Sequence, residues 1–401
     1  MRTAKLKDIT LTITDGKHGD CKNHDGSGYY FISCKDVYDE TIHYENARQI
    51  TEDDFRDADR RTNLAAYDIL ITNSGTIGRM ALVKDIPETR KTTFQKSVAI
   101  VRADTSQVVP NYLYYLLKSK VHDFINSSNG SAQKNLLLST MRDFDISFVD
   151  SFETQHRIAS ILSRYDSLIE NYQKQIKLLE EAAQRLYKEW FVDLRFPGHE
   201  NTNIIDGVPE GWEKKSIGEI GTVITGKTPS TSNKENYGGS IPFITIPDMH
   251  TGIYPVSSVF LSEKGAESQS KKYIPQGALI VSCIGTAGLV CITKERCQTN
   301  QQINSLILDD KEMLHYMYFV FLSLKEHLNN IGSNGATMTN VNKSKFEGID
   351  IVVPSSCIIR DFSQRTTPYF ENIKSLQSQL RLLTEARDRL LPKLMSGELT
   401  L

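Results

Sequence analysis

The sequence lacks several features that would define its class at once. Its six cysteines are scattered without any C-x-x-C pair, so the spacing predicts neither a zinc site nor a disulfide framework. Its apolar runs are far shorter than the roughly 20 residues that a bilayer crossing needs, and its first residues lack the apolar stretch of a signal peptide. We therefore expect a cytoplasmic protein with free thiols and no membrane partner.

An excess of positive charge is also missing. The chain has 47 Lys and Arg against 49 Asp and Glu, for a formal net charge of −2. Because nucleic-acid-binding domains usually carry a basic excess, any phosphate contact must come from local patches or from a partner. With 401 residues, 39% of them hydrophobic and 24% charged, the chain has the size and composition of two or three globular domains.

Catalytic and cofactor motifs are equally scarce. Residues 221–228 match the consensus sequence of a Walker A phosphate loop. However, residues 222–225 read as a strand inside that loop, and Pro229 follows where the helix should begin, so an NTPase is the least favoured interpretation. Five acidic residues between positions 52 and 59 are accompanied by Arg56, Arg60 and Arg61, which favours a solvated helical face over a nuclease metal site. We predict no catalytic residue, no metal site and no cofactor.

The chain does contain an internal repeat of one stretch of sequence. Residues 165–190 and 369–394 both place large apolar residues at alternating spacings of four and three, the pattern of a coiled-coil seam. Residues off the seam also recur at a constant separation of 204. We predict that the helices pair through Tyr165, Ile169, Tyr172, Ile176, Leu179, Leu186, Tyr369, Ile373, Leu376, Leu380, Leu383 and Leu390.

The repeat extends to the regions before these helices. Residues 68–78 match 278–288, each a β-branched run that ends in two glycines, and short aromatic helices are predicted at 112–117 and 316–322. The fold class is therefore α+β, with two similar mixed domains that are each followed by a long helix. The predicted boundaries are a domain over 1–150, a helix over 151–192, a linker over 193–211, a domain over 212–354 and a helix over 355–401.

Two details of the second helix depart from the repeat. Pro392 should interrupt or end the helix, because proline in a helix interior costs about 3 kcal/mol. Arg387 stands in the seam where the first copy has Ala183. A buried charge there would fix the register at a cost in stability, and we favour the alternative that Arg387 extends outward to water.

Two such helices in one chain can bury their seams against each other, which would give an intramolecular dimer with an approximate two-fold axis. A seam of about 26 residues spans roughly 40 Å, close to the ~34 Å between half-sites that symmetric dimers read one DNA turn apart. The pair would then act as a ruler between two DNA readers. The alternative is that each helix packs on its own domain as part of its core.

Three strings carry a resemblance to a known family. They are RLYKEWFVDLRFPG at 185–198, PEGW at 209–212 and LLPKLMSGEL at 390–399. With these strings the chain resembles the specificity subunits of type I restriction-modification systems over nearly its whole length. The first half opens at residues 6–9 without a counterpart of the PEGW string.

The resemblance implies two target-recognition domains that read the two halves of a bipartite sequence in double-stranded DNA. It also implies antiparallel helices that dock two methyltransferase subunits, in a complex that recruits motor-endonuclease subunits. S-adenosylmethionine, ATP and magnesium would belong to those partners, so this chain would be a non-catalytic subunit. Because its first domain lacks a surplus of basic residues, we also expect the isolated chain to bind DNA weakly. The competing interpretation is a scaffold that joins subunits through the helices and never reads DNA.

Loop residues able to reach base edges or phosphates are the candidate DNA contacts. In the first domain they are Lys17, His18, Lys22, Asn73, Ser74, Thr76, Arg79, Gln133 and Lys134. In the second they are Lys227, Thr228, Ser230, Ser282, Thr286, Gln301, Gln302, Asn334, Thr337 and Thr339. Each has a turn or capping role as its alternative, and we expect fewer than half to touch DNA. The residues expected to hold partner helices are Lys177, Glu181, Arg185, Lys188, Arg381, Glu385 and Arg389.

Overall fold

The chain forms two compact units, and each long helix contributes to both of them. A computed structural model describes residues 1–128, 135–333 and 340–399. The first unit is built from Met1–Leu168 and the segment from Leu383 onward, and the second from Ile169–Leu382. A unit therefore does not consist of one domain with the helix that follows it.

The first unit is centred on a four-stranded antiparallel sheet. The strands of this region are β1 (Arg2–Lys5), β2 (Thr10–Asp15), β3 (Tyr30–Ile32), β4 (Val37–Tyr38), β5 (Thr41–Ile42), β6 (Ile69–Thr72), β7 (Met80–Leu82), β8 (Thr92–Phe94), β9 (Val98–Ala103) and β10 (Asp145–Phe148). The helices are α1 (Glu52–Thr62), α2 (Pro110–Ser119), α3 (Val121–Asn126) and α4 (Leu138–Arg142). The sheet order is β2-β9-β6-β7, and β6 is buried along its whole length.

Both faces of this sheet are covered, which explains the continuous apolar run in β6. Successive side chains of a strand point to opposite faces. Ile69 and Ile71 accordingly lie in one core together with α2, whereas Leu70 lies in a second core with Ile100 of β9. The sheet is thus held rigidly from both sides.

The helix α5 (Phe152–Tyr187) follows, and one π-helical turn, Lys188–Val192, extends it. The strands after it are β11 (Ile204–Ile205), β12 (Val208–Pro209), β13 (Glu213–Ser216), β14 (Gly221–Thr225), β15 (Tyr237–Ile244), β16 (Val259–Leu261), β17 (Leu279–Ser282), β18 (Val290–Ile292), β19 (Gln298–Thr299), β20 (Ile303–Leu308) and β21 (Asp350–Val353). The helices are α6 (Glu263–Glu267), α7 (Leu314–Ser323), α8 (Lys325–Ser333), α9 (Lys343–Glu347) and α10 (Ser356–Ser396).

The second unit repeats the sheet of the first. Its order is β14-β20-β17-β18, with Leu279 and Val281 in one core and Ile280 in another. The aromatic helix α7 occupies the place that α2 has in the first unit, against the same face of the sheet. The predicted α+β class with a duplicated mixed domain and long helices is confirmed.

The seams of α5 and α10 share their cores with the domains. In the first unit Ile158 and Leu162 lie in one core with Leu391 and Leu394. In the second unit the ring centroids of Trp190 and Phe362 are 5.9 Å apart. Early residues of α5 therefore meet late residues of α10, and late residues meet early ones, as antiparallel helices do.

The predicted pairing residues are all at least half-buried. Those in or against the two cores are Ile176, Leu179, Leu186, Tyr369, Ile373, Leu376, Leu380 and Leu390. Those of intermediate exposure outside the cores are Tyr165, Ile169, Tyr172 and Leu383. Because the cores also contain sheet and α2 or α7 residues, pairing between the helices and packing on the domains occur together.

The expected break at Pro392 is wrong. Helix α10 continues to Ser396, because burial of Leu391, Leu394 and Met395 around the proline offsets the hydrogen bond that it removes. The helix ends at Gly397, whose φ of 75° is the left-handed conformation common after a helix terminus.

The expectation that Arg387 extends to water is also wrong. Its side chain is only 8% exposed, and its Nη1 donates to Asp166 Oδ1 at 2.8 Å and to Glu40 Oε2 at 2.9 Å. These two carboxylates make burial of the guanidinium tolerable, since a buried charge needs a hydrogen-bonded partner.

No helix within the described residues is long and apolar enough to cross a membrane.

Acid should destabilise the second unit through His315. This α7 side chain stacks on Phe370 with ring centroids 4.0 Å apart and bonds to Thr366 at 2.9 Å. Burial lowers the pKa of His315 to about 4, whereas an unfolded chain has a value of about 6.5. Because the unfolded state takes up the proton first, the free energy of unfolding should fall by about 3 kcal/mol as the pH drops from 6.5 to 4.

The measurement is chemical unfolding at pH 7 and pH 4.5. His315→Phe keeps the stacking and should lose less stability on acidification than the native chain. The control His327→Phe changes an exposed histidine and should keep the native pH dependence. An equal loss in His315→Phe and the native chain would show that another group causes the acid sensitivity.

Candidate nucleic-acid interface

The polar loops of the first unit meet at one edge of its sheet. Strand β9 is antiparallel to both β2 and β6, so the end of β2, the end of β6 and the start of β9 lie side by side. Backbone hydrogen bonds join the loops there, from Lys17 to Phe94 at 2.7 Å and from Asn73 to Ser97 at 3.0 Å. We call residues 16–18, 73–79 and 95–97 the first loop edge.

The second unit builds the same edge from the ends of β14 and β17 and the start of β20. The N–H of Lys227 donates to Thr299 at 3.0 Å, and that of Cys283 donates to Gln302 at 2.8 Å. We call residues 226–230, 283–288 and 300–302 the second loop edge. Candidate residues from distant parts of the chain are thus brought together in each unit.

The paired glycines shape the central loop of each edge. Gly75 and Gly78 have φ values of 78° and 89°, and Gly285 and Gly288 have 77° and 89°. Residues with a Cβ rarely adopt this region. Each loop folds back on its strand, for example through the N–H of Gly78, which donates to Thr72 at 2.9 Å. The turn leaves Thr76 and Thr286 exposed at its tip.

Carboxylates compensate part of the positive charge at the first loop edge. The Lys17 ammonium lies 2.9 Å from Asp57 and 3.7 Å from Asp54 of α1, and the bond to Asp57 raises the pKa of Lys17. His18 lies 3.1 Å from Asp15. The exposed candidates are His18, Lys22, Thr76 and Arg79, with Lys17 and Ser74 half-buried.

The second loop edge exposes a different set. Lys227, Ser230, Thr286 and Gln301 are exposed, and Thr228 and Gln302 are half-buried. The Thr228 hydroxyl donates to Gln301 Oε1 at 2.5 Å, and Asn300 donates to Gln302 Oε1 at 3.1 Å. These bonds hold both glutamine side chains in place.

Two candidates lie inside the fold rather than on its surface. Ser282 is fully buried, and its Oγ accepts the N–H of Leu289 at 2.8 Å. Asn73 is 5% exposed, and its carbonyl accepts the N–H of Leu136 at 2.8 Å. Both stand where a strand passes into its loop, so the sequence pattern alone did not show that they point inward.

Five candidates, Gln133, Lys134, Asn334, Thr337 and Thr339, lie outside the described residues. The described flanks of these segments adjoin the loop edges, since Asn135 bridges to Ser74 and Asn340 to Ile284.

The sequence analysis missed one exposed cation at the first loop edge. Lys96 is exposed, and its N–H donates to Lys17 at 3.2 Å. It corresponds to Gln301, because Ser97 and Gln302 accept equivalent backbone bonds in the two units. Extending the repeat to the start of β9 would have identified it.

The candidates for partner binding lie on the two long helices. Lys177, Arg185, Lys188, Arg381 and Arg389 are exposed, and Glu181 and Glu385 are half-buried. Arg185 lies 3.6 Å from Glu181, and Lys188 lies 2.8 Å from Asp193. The helices thus present mixed charge to water along these positions.

The phosphate-loop string and the acidic run both form regular secondary structure. Residues 221–225 form β14, and no helix begins at Lys227. The acidic residues after Thr51 form helix α1, where two of them pair with Lys17. In the part of the chain that the structure describes, no group of three His, Cys, Asp or Glu side chains is placed to hold a metal ion.

A mixed domain that occurs twice, with a polar loop edge and a long helix each time, defines a duplicated recognition protein. A family model described as the type I restriction modification DNA specificity domain matches residues 3–181 and again residues 209–364. The chain belongs to this family and is a type I specificity subunit with two recognition domains.

Similar proteins agree with this assignment. The HindI specificity subunit of Haemophilus influenzae is 32% identical, over 75% of this chain and 80% of the relative. The MjaIX specificity subunit of Methanocaldococcus jannaschii is 31% identical, over 94% and 88%. The crystal structure of a type I system S subunit from M. genitalium superposes with a TM-score of 0.65 at 16% identity, over 98% and 96% of the two chains, and supports the fold.

Stability measurements should separate the structural serine from the exposed threonine. Ser282→Ala leaves the Leu289 N–H without its acceptor and should lower the free energy of unfolding by about 1–3 kcal/mol. Thr286→Ala, at the exposed loop tip, should change it by less than about 0.5 kcal/mol. Thermal unfolding of the two variants tests this, and equal stabilities would mean that the Ser282 hydroxyl is not structural.

Proposed function

We propose that this chain determines the DNA sequence specificity of a type I restriction-modification complex, with each loop edge reading one half of a bipartite target. The observation that carries the proposal is the same polar loop edge built twice in a chain of the specificity family. Arg and Lys can bond guanine, Gln can bond adenine, and Thr and Ser can hold phosphates or bases. Arg79, Thr76, Lys227, Thr286 and Gln301 are exposed there.

Most of the affinity for DNA must come from subunits other than this chain. Asp57 and Asp54 neutralise Lys17, and the chain carries a net charge of −2. Phosphate contacts dominate the affinity of most DNA-binding proteins. We therefore propose that two methyltransferase subunits, docked on the exposed charged positions of α5 and α10, supply most of the phosphate clamp around double-stranded DNA in the cytoplasm.

In this proposal the partner subunits also carry out the catalytic reactions. The chain would act as a non-catalytic subunit, with methyl transfer in the methyltransferase subunits and ATP-dependent cleavage in the motor-endonuclease subunits. S-adenosylmethionine, ATP and magnesium would then be their cofactors. The chain contributes the choice of sequence.

Mapping methylated adenines across the genome tests whether this chain determines the DNA sequence that is methylated. Cells that carry this gene and its methyltransferase gene should show methylation at a two-part motif that disappears when this gene alone is removed. Lys227→Ala should slow methylation at that motif by about tenfold or more, since a lost base or phosphate contact weakens binding.

The matched control is Lys311→Ala, an exposed lysine that follows the opposite end of β20, which should methylate at the native rate. Identical methylation with and without the gene, while the methyltransferase is active, would leave the scaffold interpretation instead.

The helices should set the spacing between half-sites. One heptad inserted at matched positions of α5 and α10 adds about 10 Å, or about three base pairs. The motif should then tolerate a longer spacer with both half-sites unchanged. Seven residues inserted at Asp206–Gly207, the turn between β11 and β12, serve as the control. A spacer that does not change after the helix insertion would contradict the ruler.

A further inference from the structure

The first unit contains a cluster of four charged side chains, one buried and three half-buried, that the proposed function does not use. We call Glu40, Lys118, Asp166 and Arg387 the Arg387 cluster. Arg387 Nη1 lies 2.8 Å from Asp166 and 2.9 Å from Glu40, and Lys118 Nζ lies 2.6 Å from the other oxygen of Glu40. The Arg387 and Lys118 side chains are 8% and 15% exposed.

Ion pairs and hydrogen bonds connect the members of the cluster to one another and to neighbouring tyrosines. Arg387 and Lys118 face Glu40 and Asp166, and Arg387 Nη2 also lies 2.9 Å from Asp388, an exposed residue. The second oxygen of Asp166 accepts the hydroxyl of Tyr115, and Glu40 also accepts the hydroxyl of Tyr114 at 3.4 Å. Hydrogen bonds between charged groups are directional and strong, so the bonds of Arg387 to Glu40 and Asp166 tolerate little displacement of these three side chains. Lys118 contacts Glu40 as an ion pair.

The four members come from four separate segments of the first unit. Asp166 belongs to α5 and Arg387 to α10, while Lys118 belongs to α2, which packs on the sheet. Glu40 is at the tip of the β4–β5 hairpin. The cluster therefore joins both long helices to two elements of the recognition domain.

The hairpin is a stiff connection between the cluster and the first loop edge. Its two loop residues, Asp39 and Glu40, have φ values of 47° and 61°, the tight two-residue turn that matches strand twist. The segment just before it contacts the edge directly. The N–H of Cys34 donates to Ser97 Oγ at 3.2 Å, and Arg79 donates to the Cys34 carbonyl at 3.5 Å.

The second unit has an apolar counterpart of this cluster. At the separation of 204 residues, Arg387 corresponds to Ala183, and Asp166 and Tyr115 correspond to Phe370 and Phe319. Ala183 and Phe370 are buried in the apolar core there, and the rings of Phe319 and Phe370 are 6.1 Å apart. At these described positions the ionic connection of the first copy is replaced by apolar contacts, although Tyr254 N–H and Lys294 Nζ donate hydrogen bonds to Gln377 and Ser378 of α10 at 3.2 and 2.8 Å.

We propose that the Arg387 cluster positions the first loop edge on the two long helices, and that Glu40 is the residue through which it does so. The inference rests on the proposed function, because its consequence is the spacing at which the first half-site is read. Loss of the Glu40 carboxylate would free the hairpin from Arg387 and Lys118 while Asp166 still binds Arg387. The half-sites would then be read over a wider range of spacers.

The test uses the full chain assembled with its methyltransferase subunits. Initial methylation rates are measured on duplexes with the native spacer and with spacers one base pair shorter or longer. The native complex should prefer its own spacer by about tenfold or more, comparable to the effect of one mismatched base pair. Glu40→Gln should reduce this preference about threefold or more, by loosening the link rather than the base contacts.

Three further variants separate positioning from stability. Glu45→Gln makes the same change at an exposed residue of the same segment and should keep the native preference. Leu391→Ala removes a buried side chain of the first core and should lower the unfolding temperature but keep the preference. Arg387→Lys retains the charge without the guanidinium fork and replaces Glu40→Gln if that variant does not fold.

The outcomes distinguish the two proposals. A native preference in Glu40→Gln and Arg387→Lys would overturn the positioning role, as would an equal loss of preference in Leu391→Ala. A native complex that methylates all spacers equally would instead contradict the reading of a bipartite target with fixed spacing.

Discussion

The structure depends on apolar seams that belong at once to a helix pair and to a domain core. Trp190 and Phe362 pack across the two helices while sharing a core with the sheet and α7. Isolated helices gain little stability from their own hydrogen bonds, and tertiary packing supplies most of it. The long helices and the domains are therefore not independent modules, and a helix that lost its domain would expose much of its seam.

This shared core leaves most of the exposed side chains of the loop edges outside the packing of the domains. Each central sheet is buried on both faces, so its strands are fixed by packing, whereas the loops beyond the strand ends carry few core residues. Substitution at Thr76 or Thr286 removes no buried contact, because both side chains are exposed. A surface that varies without cost to the core suits proteins whose specificity must differ while the fold stays the same.

The features predicted from sequence were those that depend on local pattern. The seam spacing and the buried strands are properties of residues close together in the chain, and the repeat follows from comparing two stretches of the sequence. The structure contains all three. Contacts between distant residues could not be predicted in this way. The burial of Arg387 requires Glu40, which is 347 residues away, and the heptad pattern holds no information about that partner.

The same limit applies to the candidate interface. Polar character at a strand end predicts a loop, but whether Ser282 faces water or the Leu289 N–H depends on how the loop returns. Pro392 shows the converse case, in which tertiary burial of Leu391 and Leu394 overrides a local preference. Residues that the repeat places in equivalent positions, such as Lys96 and Gln301, were within reach of sequence comparison.

The two copies of the repeat differ where a domain meets the helices. An apolar contact such as that of Phe319 with Phe370 resists separation but discriminates weakly between small shifts, since dispersion and burial are nearly non-directional. The bonds of Arg387 to two carboxylates depend on distance and angle. A buried ion cluster is weak evidence for stability, because its desolvation cost can exceed its Coulomb gain. Its presence in one copy is better explained by the geometry that it enforces between the recognition domain and the helices.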